Sequence, residues 1–157
     1  MKNAFTMIEL IFVIVVIGIL AMIAIPKFSA TRDDAVITKA KTTVASIRSS
    51  ISSEIQRRAV AGDYSPIKNL GGVKGGYNQP IFDYFDSNSS ARRVLEYPPY
   101  SCKDSSTKGC WMRTGDSKYQ YYLPPAVGNG GSVEFSVVNS RFDCTSSDKS
   151  KCRLLER

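Results

Sequence analysis

Residues 5–25, FTMIELIFVIVVIGILAMIAI, have no polar face: Glu9 is their one charge, and fourteen of the twenty-one are Phe, Ile, Leu or Val. At about 1.5 Å per helical residue such a run is roughly 30 Å long, the thickness of a bilayer core. Each of the fourteen favours insertion by about 0.3–0.6 kcal/mol, on the order of 4–8 kcal/mol together, against at most about 3 kcal/mol for a charge near the helix end. The pattern predicts a membrane-inserted helix in spite of Glu9. A cleaved secretory signal has a shorter apolar region, about 7–15 residues, followed by a small-x-small site. IAIPKFSA offers no clear site of that kind, so the expectation is an anchor left whole or one cut ahead of the apolar run.

Beyond Pro26 the pattern changes period. No proline or glycine occurs between Lys27 and Ala61, and Ile37, Ala40, Val44, Ile47, Ile51 and Ile55 recur every three or four residues. That spacing predicts an amphipathic helix over 27–61 whose opposite faces carry Lys39, Lys41, Arg48, Glu54, Arg57 and Arg58. Gly62 is its expected stop. Gly18 and Pro26 are the weak points of the first half, and if Pro26 bends the axis without ending it, one long helix results.

After Gly62, GDYSPIKNLGGVKGGYNQP reads as loop and IFDYF (81–85) as a helical turn. YQYYL (119–123) and VEFSVV (133–138) predict strands joined by the hairpin loop PPAVGNGGS, with a third strand at 141–144 or 153–155. The fold class is α+β, a long helix packed on a small antiparallel sheet. The division is 1–4, a short basic lead-in; 5–26, the apolar half-helix; and 27–157, one globular domain including the amphipathic helix.

Composition narrows the chemistry. Histidine is absent, which removes the commonest general base and transition-metal ligand. No G-x-S-x-G stretch occurs, no catalytic residue is assigned and an enzyme is not expected. Four cysteines, Cys102, Cys110, Cys144 and Cys152, fit disulfides of an oxidising compartment and place the C-terminal part outside the cytoplasm. They allow three connectivities, of which Cys102–Cys110 with Cys144–Cys152 needs the least chain closure. A four-cysteine zinc site, which wants close C-x2-C pairs, and four reduced thiols are the weaker readings. The net charge of +7 is scattered, a permissive signal for DNA or anionic lipid. Tyr100, Trp111 and Tyr119 are candidates for base stacking, against the commoner role of aromatics packed around a disulfide.

The segment AFTMIELIFVIVVIGILAMIAIP resembles the start of type IV prepilins and type II secretion pseudopilins. The features that carry the resemblance are a short basic leader, a small residue before Phe5, Thr6 next, Glu9 four residues beyond Phe5, then Gly18 and Pro26. Ala4 stands where that family usually has glycine. The resemblance covers about a sixth of the chain, the rest agreeing only in general plan. It implies cleavage between Ala4 and Phe5 by a prepilin peptidase, methylation of the Phe5 amine, and a structural subunit of a pseudopilus or pilus. It further implies residence in the inner membrane with the C-terminal domain in the periplasm or on the outer face. Expected partners are other pilin-like subunits, the peptidase, an inner-membrane platform protein and an assembly ATPase; the expected service is protein secretion or DNA uptake.

Cleavage would leave a cationic amine on Phe5 about 6 Å along the axis from Glu9 of the same helix, poor geometry for self-pairing. In a filament Glu9 of one subunit would meet the Phe5 amine of a neighbour, neutralising two charges that are costly when buried alone. The bland alternative is a carboxylate reaching the headgroups. No cofactor is expected: calcium at Asp143 and Asp148 in FDCTSSDKSKC is disfavoured by the surrounding lysines and the expected crosslink. A membrane-anchored periplasmic binding module or enzyme that does not polymerise is the competing function.

Overall fold

The computed structural model describes residues 5–156, with the helical backbone alone over 23–31. Helix α1, Met7–Val60, is one continuous 54-residue element that passes through Pro26. Thr6 caps its start, Oγ1 accepting the Glu9 N–H at 3.3 Å. Its end is a left-handed turn at Gly62 (φ 76°), where the Gly62 N–H donates to Ala59 O and Asp63 N–H to Arg58 O, satisfying carbonyls that a helix end leaves unpaired.

Four antiparallel strands follow in simple meander order: β1 Cys110–Arg113, β2 Lys118–Tyr122, β3 Ser132–Val138 and β4 Arg141–Cys144. β2 and β3 form the expected hairpin, Tyr121 facing Val133 and Tyr119 facing Phe135. β3 turns into β4 through Asn139 and Ser140, both at positive φ (50° and 58°), the twist that a two-residue hairpin requires. Helix α2, Lys149–Glu156, closes the chain against α1. It takes the place of the strand expected at 153–155. The segment 81–85 is not a helical turn either; a single 3-10 turn begins only at its last residue, Phe85–Ser87.

The core lies between one face of the sheet and α1 from Ile37 onward. Ile37, Ala40, Val44, Ile47 and Ile51 are buried against Trp111, Tyr119, Tyr121, Phe135 and Phe142, and Phe82 from the long loop inserts among these rings. Trp111 and Tyr119 are therefore core residues, which removes them as base-stacking platforms; Tyr100 alone of the three is exposed. Burial pushes the Tyr119 phenol up to about 12, and its hydroxyl is committed, accepting the Leu70 N–H and donating to Gly71 O. Two further bonds pin α1 to the sheet: Tyr121 Oη donates to Val36 O, and Arg48 Nε to Phe142 O.

Both local disulfides are present, Cys102–Cys110 and Cys144–Cys152, with Cα separations of 5.1 and 5.8 Å. The first closes a loop whose Gly109 (φ 74°) lies against Val36 of α1, where a Cβ would come within 2.7 Å of a Val36 methyl. The second ties α2 to β4. Each short ring contributes about 2–3 kcal/mol by restricting the unfolded chain.

The amphipathic stripe ends differently from its sequence expectation. The alternating spacing of three and four carries it from Ile51 to Glu54 and Arg58, so Glu54 is 1 % exposed while Ile55 is turned outward at 43 %. Glu54 is buried as an ion: Arg57 and Arg58 donate to it at 2.7–2.9 Å, and Arg58 Nη2 also reaches Asp86 Oδ2 at 2.8 Å. Asp86, at φ 56°, accepts the N–H groups of Lys68 and Asn69 through its other oxygen. The helix end is thereby clamped to two points of the long loop 63–109.

Candidate functional site

The described N-terminal half of α1 stands clear of the domain. Phe5, Met7, Ile8, Leu10, Ile11, Phe12 and the aliphatic residues from Val13 to Leu20 are exposed, and Met22 is 79 % exposed. Their distribution around every side of the helix leaves no polar face to turn toward water, and the surface has no partner among the described residues. Among the described residues no helix is long and apolar enough to cross a membrane; the described side chains of this run stop at Met22.

Glu9 is the one carboxylate on this surface and is itself exposed. It occupies the third helical position after the Thr6 cap, so Thr6-x-x-Glu9 has the spacing of a capping box, and the Thr6 half of that box is formed. A negative charge here also complements the positive end of the helix dipole. Thr6, which the sequence reading used only as a motif letter, thus has a role in starting the helix one turn ahead of the carboxylate. Phe5 precedes the helix and is 78 % exposed, with its backbone free of the helical ladder.

No family model, curated protein or solved structure matches this chain. The resemblance described above accordingly stands on the residues of the segment themselves.

The remaining sequence-predicted residues fall at separate places. Ala4 and the leader 1–4 lie outside the described residues. Gly18 sits on the exposed helix with nothing among the described residues within 4 Å of an added Cβ, so no packing among them requires glycine there. Pro26 lies within the continuous helical backbone. The four cysteines form the two crosslinks of the domain, far along the chain from Phe5 and Glu9. Asp143 lies by Arg141 (3.3 Å) and Arg48 (4.0 Å), whereas Asp148 accepts from the N–H and hydroxyl of Ser150 at the start of α2. The two are employed separately, and among the described residues no group of three or more potential ligands is placed to hold a metal.

The strongest electrostatic feature, the Glu54–Arg58–Asp86 clamp, was not legible as a site. Hydrogen bonding from Arg57 holds the Glu54 carboxyl at about 2, overcoming the opposing effect of burial, with Arg58 adding to the depression. Its partners are all intramolecular, which makes it a structural device holding the loop.

Proposed function

We propose that the chain is a pilin-like structural subunit, processed between Ala4 and Phe5, anchored in the inner membrane through 5–26, and polymerised through that half-helix into a pilus or pseudopilus serving protein secretion or DNA uptake. It performs no catalysis; its work is assembly. The observation that carries the reading is the division of α1. Its second half is one wall of a disulfide-bonded core, while the first half continues from it without a break and, from Phe5 to Met22, presents an all-round apolar surface with no partner among the described residues.

Lipid satisfies that surface before assembly and neighbouring helices satisfy it afterwards. Glu9 then has a use that a simple anchor does not give it, since a methylated Phe5 amine on an adjacent subunit supplies the opposite charge. The crosslinked domain fits the oxidising side of the membrane. Other pilin-like subunits, the prepilin peptidase, the platform protein and the ATPase are the partners this reading requires.

Removal of the half-helix tests it. A chain comprising 32–157 retains every buried core residue among those described and is expected to be a soluble monomer that unfolds in urea at the same midpoint as the full protein. The full chain is expected to need detergent or lipid and to yield cross-linked oligomers from cell envelopes. Analytical ultracentrifugation showing the full chain as a soluble monomer without detergent contradicts the proposal.

A further inference from the structure

A long groove runs beside α1 on the globular domain, independent of the apolar half-helix and of the assembly reading. It consists of two adjoining clefts of about 500 and 650 Å³ that share Ser50, Val94 and Glu96. One wall is α1 from Lys39 to Ser53, roughly 21 Å of helix at about 1.5 Å per residue. The other is the extended segment 92–99, held to the loop by backbone bonds from Val94 to Asp83 O and from Phe85 to Arg92 O.

The helical wall carries uncommitted hydroxyls. Thr38, Thr42, Thr43 and Ser52 each donate to the carbonyl four residues back, as helical hydroxyls commonly do. Ser46, Ser49, Ser50 and Ser53, which line the groove, make no such bond among the described residues, leaving four donor–acceptor groups along one wall.

The charges lie at the two ends. Arg92 and Arg93 stand at one and Lys39 at the other, and none of the three is in a salt bridge among the described residues. Arg93 is pre-positioned, its guanidinium over the Tyr84 ring at 5.6 Å and Nη1 donating to Glu96 O at 3.2 Å. Between the ends, Tyr97 is 89 % exposed on a stretch stiffened by Pro98 and Pro99. Glu96, also exposed, is the one carboxylate that lines the groove.

The geometry points to a binding groove for an acidic oligosaccharide, one that carries carboxylates at wide intervals along a hydroxyl-rich chain. Arg92 and Arg93 take a carboxylate in the bidentate manner suited to guanidinium. The serines exchange hydrogen bonds with sugar hydroxyls, and the open face of Tyr97 packs on a sugar ring. Lys39 meets a second carboxylate at the far end. A single-stranded nucleic acid, with a phosphate at every residue, fits less well: cations are wanting along the middle of the groove, where Glu96 would repel it.

The test is fluorescence-anisotropy titration of the full chain in neutral detergent micelles with a labelled hyaluronan octasaccharide, which carries a carboxylate on every second sugar. Saturable binding is expected, weakened about tenfold or more in Arg92→Ala/Arg93→Ala, which removes the charge-assisted bonds. Tyr97→Ala, at a side chain too exposed to support the fold, is expected to weaken binding about fivefold. Arg153→Ala on α2 should leave it unchanged, and the fully methyl-esterified oligosaccharide should not bind. Absence of hyaluronan binding overturns the inference, as does binding indifferent to both groove variants. Tighter binding of a thymidine oligomer through the same residues also overturns it, in favour of nucleic acid.

Discussion

Glu9→Lys is expected to abolish incorporation of the protein into polymers while leaving its globular domain folded. The position is exposed on the helix and far along the chain from Ile37, the first core residue among those described, so neither that core nor the crosslinks depend on it. In an assembled filament the substitution would place two cations where one ion pair stood. Removing one member of a buried pair costs about 3–5 kcal/mol, and juxtaposed like charges add several kcal/mol more at each repeated contact. Cross-linking of intact envelopes followed by immunoblotting reads the result as loss of the oligomer ladder at unchanged monomer level.

The structure adds a sharper control, because Glu9 also occupies the capping-box position after Thr6. Glutamine serves in capping boxes as glutamate does, so Glu9→Gln keeps the helix start but removes the charge. If the carboxylate pairs with the Phe5 amine of a neighbour, Glu9→Gln also fails to assemble. Normal assembly of Glu9→Gln would assign Glu9 to helix capping and leave the ion-pair account without its main residue. A tethered enzyme or receptor would retain its activity in both variants.

The second large effect belongs to the domain. Arg58→Ala is expected to destabilise it by about 2–3 kcal/mol, measured by urea unfolding, because it removes one charge-assisted bond from the buried Glu54 and severs the helix from Asp86. Arg57 keeps its two bonds to Glu54, so the carboxylate is not left unpaired. The clamp also sets an acid limit. Glu54 titrates near 2 in the folded protein, below the ordinary carboxylate range near 4.5, so its contribution is complete above that range and is lost as pH falls toward 2. A shift of that size is worth on the order of 3 kcal/mol. Stability of the wild-type domain should therefore decline between about pH 4.5 and 2, and this decline should be smaller in Glu54→Gln.

The long helix, its stop at Gly62 and the β2–β3 hairpin were legible because each is written in local chemistry: period, a glycine able to take positive φ, and a turn-rich linker between alternating strands. Glu54 was misread because a charge on a helix is ordinarily solvated. The spacing of three and four that put Ile51 inside continues through 54 and 58, and only the arrival of Asp86 from a distant loop makes burial of those charges tolerable. Trp111 and Tyr119 took the commoner role for aromatics, packing in the core, and the base-stacking alternative falls away for both. β1, the short CWMR, has no alternation to mark it; its pairing with β2 defines it. The loop 63–109 is held by isolated bridges and positive-φ residues such as Phe82 and Asp86, interactions that become visible only once the chain is folded. The candidate assembly residues lie within one contiguous segment that the sequence alone can name; what it could not give is the Thr6 cap on the Glu9 N–H and the exposure of Phe5 and Glu9 on the folded chain.

The central claim concerns what happens between Ala4 and Phe5, and intact-mass and N-terminal peptide spectrometry of the membrane-extracted protein measures it directly. The account predicts a chain beginning at Phe5 with one added methyl group on its amine. A chain retaining Met1–Ala4 in cells that contain the peptidase, or one cut after residue 25, would contradict it.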